Sequence, residues 1–238
     1  SNEVLKMQDA GIDIINLKSP SSVYFENRYG ENINERTQRV LSKAKPFTIE
    51  DIAAYEADVF HLGTLLVDDF DPGVIEYLSG KGRICLDIQG YLREVRGEKV
   101  YPVDWKDKLR VLKFVDILKV NEQEAAIITD GEKNLYDAAR IIRSWGVREV
   151  IITLGSFGSI IYVDNHFYDI PSFPPRQTYD ATGCGDTYTA GYLYARCKGA
   201  SYEEAGRLSA AMCSLKLEHT GPFKGTIKNI YERMGAGA

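Results

Sequence analysis

Apolar positions along the chain follow two rhythms. From residue 48 onward, short and nearly continuous apolar runs occur at 58–62, 83–88, 115–120 and 149–154. Between them, at 48–55, 72–78, 105–113, 122–129 and 135–145, apolar residues recur every three or four positions. The first pattern predicts strands buried on both faces and the second predicts amphipathic helices. Alternating in this order, they predict an α/β protein with a mostly parallel sheet between helical layers. Residues 159–163 and 166–170 flank Asp164-Asn165 and read as an edge hairpin. The stretches 187–198, 202–217 and 227–234 complete the pattern as helices.

Before residue 48 the pattern is different. Residues 1–10 read as a helix closed by Gly11, and 13–17 as a short strand. The extended runs 23–29 and 36–41 then surround Gly30-Glu31-Asn32 and mix Tyr and Phe with charged residues. They predict a β-hairpin over 20–42, too polar for a central strand and suited to a lid lying over something. In open α/β sheets ligands sit beyond the carboxyl ends of the strands. That rule selects 63–64, 87–89, 121–124 and 154–158.

Composition narrows the function classes. A chain of 238 residues buries one substantial core, so 1–238 reads as a single domain with an appendage. With 29 Lys and Arg against 34 Asp and Glu, net charge is −5, and no basic block is present. Nucleic acid and anionic membrane surfaces therefore have no electrostatic footprint. No apolar run approaches a bilayer span. Cys85, Cys184, Cys197 and Cys213 show no paired spacing, which argues against zinc or a disulfide framework and for reduced thiols in a cytoplasm.

The strongest chemical signal is Asp180-Ala181-Thr182-Gly183-Cys184-Gly185-Asp186 ahead of a helix. Two glycines let backbone approach a ligand, and the first helical amides are unsatisfied donors at the positive end of the dipole. An acidic residue in that first turn can face the occupant and accept a hydroxyl proton. A glycine turn with an Asp cap explains a bare Gly-x-Gly-Asp better than function does; the full seven residues favour the functional reading. The stretch Lys119-Val120-Asn121-Glu122-Gln123-Glu124 places Asn121 and Glu124 three apart, which suits either a magnesium water shell or a capping-box analogue. Thr153-Leu154-Gly155-Ser156-Phe157-Gly158 ends a strand in a glycine turn, common in isolation. Ser209-Ala210-Ala211-Met212 reads as a helix packed closely through small residues, with Gly221-Pro222 beyond it.

In this order the motifs resemble those of the ribokinase-like (PfkB) carbohydrate kinase family. Its C-terminal signature, Asp-Thr-x-Gly-Ala-Gly-Asp-x-Phe, is matched with Ala181, Cys184 and Tyr188 as departures. The resemblance implies a Rossmann-like three-layer fold and transfer of the ATP γ-phosphoryl group to a hydroxyl of a sugar, polyol or nucleoside. It implies Asp186 as general base and the amides of Gly183, Cys184 and Gly185 as the anion hole. Asn121, Thr153, Gly155 and Gly158 would contact the nucleotide, Ala211 and Gly221 would wall the adenine, and Glu124 and Asp180 would serve Mg²⁺, with K⁺ a further candidate ion. Asp87-Ile88-Gln89-Gly90-Tyr91-Leu92-Arg93 is similar to a stretch of inositol-kinase-like members, with Gln89 for Asn and Arg93 as a candidate phosphate contact. Such a family begins with a strand and a Gly-Gly-x-x-x-Asn helix, a unit expected to be lacking here. The lid would mediate a homodimer. A vitamin-type (pyridoxal or hydroxymethylpyrimidine) kinase and a catalytically silent sugar-binding protein of the same fold stand as alternatives.

Overall fold

The structure is a computed structural model that describes residues 2–29 and 36–235. In chain order its elements are α1 (Asn2–Asp9), β1 (Tyr24–Tyr29), β2 (Arg36–Ser42), α2 (Ile49–Ile52), β3 (Val59–Gly63), α3 (Pro72–Ser79), β4 (Arg83–Asp87), β5 (Arg93–Arg96), β6 (Lys99–Pro102) and α4 (Lys108–Val111). They continue as β7 (Ile117–Asn121), α5 (Glu122–Ile128), α6 (Leu135–Ser144), β8 (Glu149–Thr153), β9 (Ser159–Val163), β10 (His166–Ile170), α7 (Cys184–Cys197), α8 (Tyr202–Leu217) and α9 (Ile227–Gly235).

The main sheet has the order β10-β9-β8-β7-β4-β3. From β3 to β8 all pairs are parallel, and β9 and β10 add an antiparallel edge. Because the parallel strands follow one another in sequence, right-handed crossovers place their connecting helices on one face. Side chains alternate accordingly. Ile84, Leu86, Leu118, Val120, Val150 and Ile152 pack into one core with α3, α5 and α6. Cys85, Ile117 and Ile151 face the other core, roofed by α7, α8 and α9. Each of these side chains is at most 1% exposed, contributing roughly 1.5–3 kcal/mol apiece for the larger aliphatics. The expected α/β fold with a mostly parallel sheet between helices is what forms.

Two readings of the sequence change. Residues 13–17 form no strand: Ile12 and Ile15 are each 53% exposed, and no described strand lies alongside to complete a ladder. The hairpin of β1 and β2 belongs to a larger, four-stranded antiparallel sheet in the order β1-β2-β6-β5. The turn of that hairpin, around Gly30-Glu31-Asn32, lies outside the described residues. β5 and β6 turn at Gly97, whose φ of +64° suits a residue without Cβ. This second sheet lies on the ligand side of the main sheet, since β5 follows directly from the short 3₁₀ turn that ends β4. No described helix is long and apolar enough to cross a membrane.

Candidate active site

The start of α7 is set by Gly183, the N-cap, at φ +81°. Cys184 N–H donates to the Ala181 carbonyl at 3.2 Å, whereas the amides of Gly185 and Asp186 fall in the first turn, where no intrahelical acceptor exists. Asp186 is exposed, and its carboxylate turns back over the glycine: a Cβ on Gly183 would lie 3.8 Å from Oδ2. The preceding turn is fixed from below. Thr182 N–H donates to Asp180 Oδ1 at 2.9 Å, and the buried Lys216 ammonium donates to the Asp180 carbonyl at 2.8 Å with Oδ2 at 3.4 Å. The Thr182 amide, helped by Lys216, holds the Asp180 carboxyl below the ordinary carboxylate value. The helix body is pinned to the sheet by two buried hydroxyls. Tyr188 pairs with Ser159 at 2.7 Å, which accounts for a Tyr where the family signature has Phe, and Tyr192 donates to Glu149 at 2.7 Å.

The loop after β8 meets this turn. Thr153, Gly155 and Gly158 share with Ala181, Cys184 and Gly185 a cavity of about 510 Å³. Its far wall is Phe173, Pro174 and Pro175 with one face of α8: Ala210, Cys213, Ser214 and Leu217. Those four stand at i, i+3, i+4 and i+7, so they share a helical face. Ala211, one position round, is fully buried in the core instead, and Gly221 lies exposed outside this lining. Ala210 is thus the alanine that borders the cavity. The small residues of α8 also serve packing, because a Cβ on Gly191 of α7 would stand 2.8 Å from Met212 Sδ and 3.1 Å from Ser209 Cα.

Asn121 and Glu124 form a reciprocal capping box at the start of α5: Glu124 N–H donates to Asn121 Oδ1, and Asn121 N–H to Glu124 Oε2, each at 2.9 Å. The plain reading of that pair is therefore realised. Both residues also line a second cavity, of about 730 Å³, that reaches Gln89 and Arg93 and the Arg39 and Lys99 side chains of the antiparallel sheet. Burial pushes the Glu124 carboxyl up, against the opposing pull of the Asn121 amide and Lys119. No cluster of three or more His, Cys, Asp or Glu that would enclose a metal directly is present among the described residues. A single carboxylate fits an ion that keeps most of its waters better than one held by a full protein cage. Arg93, the first residue of β5, also lies over the Phe25 ring of β1, 5.8 Å from its centroid, and so ties the two outer strands of the antiparallel sheet together.

Sequence reasoning passed over a residue packed against the glycine turn. Lys119, on β7, and its register partner Asp87, on β4, form an ion pair at 2.5 Å with side chains only 7% and 8% exposed. A Cβ on Gly185 would lie 2.8 Å from the Lys119 ammonium. The signal was available: a lysine inside a strand buried on both faces is rare unless it is paired.

A mostly parallel α/β sheet with a glycine-opened helix start and a cavity beyond its strand ends is the arrangement of the ribokinase-like fold. The chain belongs to the pfkB family of carbohydrate kinases, whose profile matches residues 92–228. It is 31% identical over 175 residues to a cytidine kinase of Thermococcus kodakarensis, covering 72% of this chain and 59% of that protein. It is 33% identical over 128 residues to an Arabidopsis thaliana ribokinase, covering 52% of this chain and 33% of the relative. The chain thus spans less than two thirds of these relatives. Among solved structures, a pyrophosphate-dependent kinase of the ribokinase family in complex with sulfate superposes with a TM-score of 0.86 at 33% identity, over 98% of this chain and 81% of that one. Such a pyrophosphate-dependent kinase complexed with a pyrophosphate analogue and myo-inositol gives 0.84 at 32% identity, over 99% and 81%.

Proposed function

We propose that the protein is a kinase transferring a phosphoryl group from a polyphosphate donor to a hydroxyl of a sugar, polyol or nucleoside. The observation that carries this reading is the 510 Å³ cavity lined by Cys184 and Gly185 of the glycine turn, with Asp186 the next residue and its carboxylate folded back over Gly183. Asp186 accepts the acceptor's hydroxyl proton as the new O–P bond forms. The bond from phosphorus to the bridging oxygen breaks, and that oxygen leaves with the electron pair. The amides of Gly183, Gly185 and Asp186 donate to the oxygens of the transferring group, while that of Cys184, expected in the same role, is engaged by the Ala181 carbonyl. Glu124 would hold Mg²⁺ through the ion's water shell, and the ion would supply neutralisation of charge on the donor phosphates; Asp180 shapes the turn before α7.

For the donor we favour ATP, because a cavity walled by Phe173, Pro174, Pro175, Ala210 and Leu217 suits an adenine better than a bare polyanion. Pyrophosphate is the second reading, favoured by the relatives at 32–33% identity that use it. For the acceptor, those relatives and the cytidine kinase point to a cyclic polyol or a nucleoside rather than a vitamin-like heterocycle. Consumption of ATP and of pyrophosphate, each measured across sugars, polyols and nucleosides, tests both choices. No turnover with any pair would leave the silent binding protein standing. The outer edge of β3 has no neighbour among the described residues.

Two predictions arise here. Glu124→Gln keeps an acceptor for the Asn121 amide, so melting should change little. The Mg²⁺ concentration for half-maximal rate should rise roughly 10–100-fold, as for lost orientation of metal-bound groups. An unchanged Mg²⁺ titration with a lower melting temperature would leave Glu124 as a cap only. The antiparallel sheet presents Tyr24 (59% exposed), Leu41 and Tyr101 to solvent, more apolar surface than a lone ribbon carries well. We therefore propose a homodimer through it. Sedimentation at micromolar concentration should show a dimer that Tyr24→Ser/Phe25→Ser dissociates, and a monomeric wild type would refute it.

A further inference from the structure

The Lys119–Asp87 pair has a plain explanation, since it joins register partners on adjacent strands. That explanation is weak energetically. Burying two charges costs about what their attraction returns, and an apolar pair of similar volume often does as well or better. The position is also unusual. The ammonium lies against Gly185, at the positive end of α7, where a cation is disfavoured unless negative charge is supplied. Asp87 supplies one such charge and takes one of the three ammonium N–H bonds, through Oδ2, while its Oδ1 accepts the Gln89 amide at 3.1 Å. Gly185 belongs to the proposed anion hole and is followed directly by Asp186, so the ammonium stands behind the turn that carries the proposed base.

We propose that Lys119 is a catalytic residue that donates hydrogen bonds to the phosphoryl group in transit, with Asp87 holding it in place between turnovers. The inference rests on the phosphoryl-transfer reading given above and adds a charged donor to the backbone amides. Lys119 remains protonated throughout. The hydroxyl proton goes to Asp186, and the leaving oxygen keeps the electron pair of the broken bond. The role of Lys119 is to offset the charge gathering on the equatorial oxygens, which amides with partial charges do less strongly. Gly185 is glycine here for a second reason, because any side chain would displace the ammonium.

Lys119→Met alone would strand a buried carboxylate, so the informative variant is Asp87→Asn/Lys119→Met, which removes both charges. Its melting temperature should stay near that of the wild type. Mg²⁺-pyrophosphate, titrated calorimetrically as a plain anion probe, should bind tenfold or more weakly, and kcat should fall roughly 10²-fold, the scale for one lost oxyanion donor, with little change in acceptor KM. Asp87→Asn alone releases Lys119 and removes a competing anion, so pyrophosphate should bind at least threefold more tightly. A double variant that folds and binds the probe like the wild type overturns the proposal. So does an Asp87→Asn protein with unchanged or weaker binding, or a wild type that does not bind pyrophosphate. The titration needs no acceptor and no turnover, so failure of the kinase reading in the acceptor panel is read separately from failure at Lys119.

Discussion

Asp186→Asn is expected to lower kcat by roughly 10²-fold or more while leaving donor binding and folding nearly unchanged. The side chain is exposed in the first turn of α7, so the isosteric amide fits without repacking. What changes is the chemistry. A carboxylate can take the hydroxyl proton as the O–P bond forms, and an amide cannot. The backbone donors of Gly183, Gly185 and residue 186 do not depend on that side chain, so charge stabilisation on the transferring group survives and the loss appears in kcat rather than in donor KM. A steady-state comparison with the best acceptor, beside melting curves, checks it. Wild-type turnover in the variant would remove Asp186 from the role of base and would throw the mechanism onto positioning alone.

Legibility in the sequence followed the strength of local rules. The parallel strands could be read because burial on both faces leaves almost no polar positions, and α5 could be read because Asn121 is a good cap. The glycine turn at 183–185 was legible as a unit, since an αL residue followed by a helix has few other uses. β5 and β6 were not. Arg93-Glu94-Val95-Arg96 and Lys99-Val100-Tyr101-Pro102 are short and mostly polar, and they become strands only by pairing with each other and with β2. Residues 13–17 fail in the opposite sense, having strand-like composition without a partner. The carry-over of Ala211 shows the limit of motif transfer: helical geometry places Ala210, not Ala211, on the cavity. Lys119 went unread because its meaning comes from Asp87 and Gly185, 32 and 66 residues away, which only the fold brings together.

Glycines 155 and 158 belong to one motif, yet their substitutions should behave very differently. At Gly158, φ is +98° and a Cβ would stand 2.0 Å from the Ile170 carbonyl oxygen and 2.9 Å from the Ser172 amide nitrogen. Neither neighbour is a flexible side chain. The strand β10 and the segment after it would have to move, on top of a backbone conformation that L-residues rarely adopt. Gly158→Ala should therefore destabilise the protein by about 3 kcal/mol or more. For a chain of this size that lowers Tm by roughly 6–12 °C, with activity below the melting range falling only as far as folded protein is lost. At Gly155, φ is +55° and nothing lies within 4 Å of an added Cβ. The left-handed conformation costs alanine roughly 1–2 kcal/mol, and the methyl group projects into open space at the edge of the donor cavity. Gly155→Ala should lower Tm by only a few degrees and raise the donor KM, with kcat little changed. Melting curves and donor titrations on the two variants separate a glycine required by the fold from one required by the ligand. A Gly158→Ala protein as stable as the wild type would mean that the β8–β9 turn is built differently. A Gly155→Ala protein with unaltered donor KM would move the donor out of this cavity.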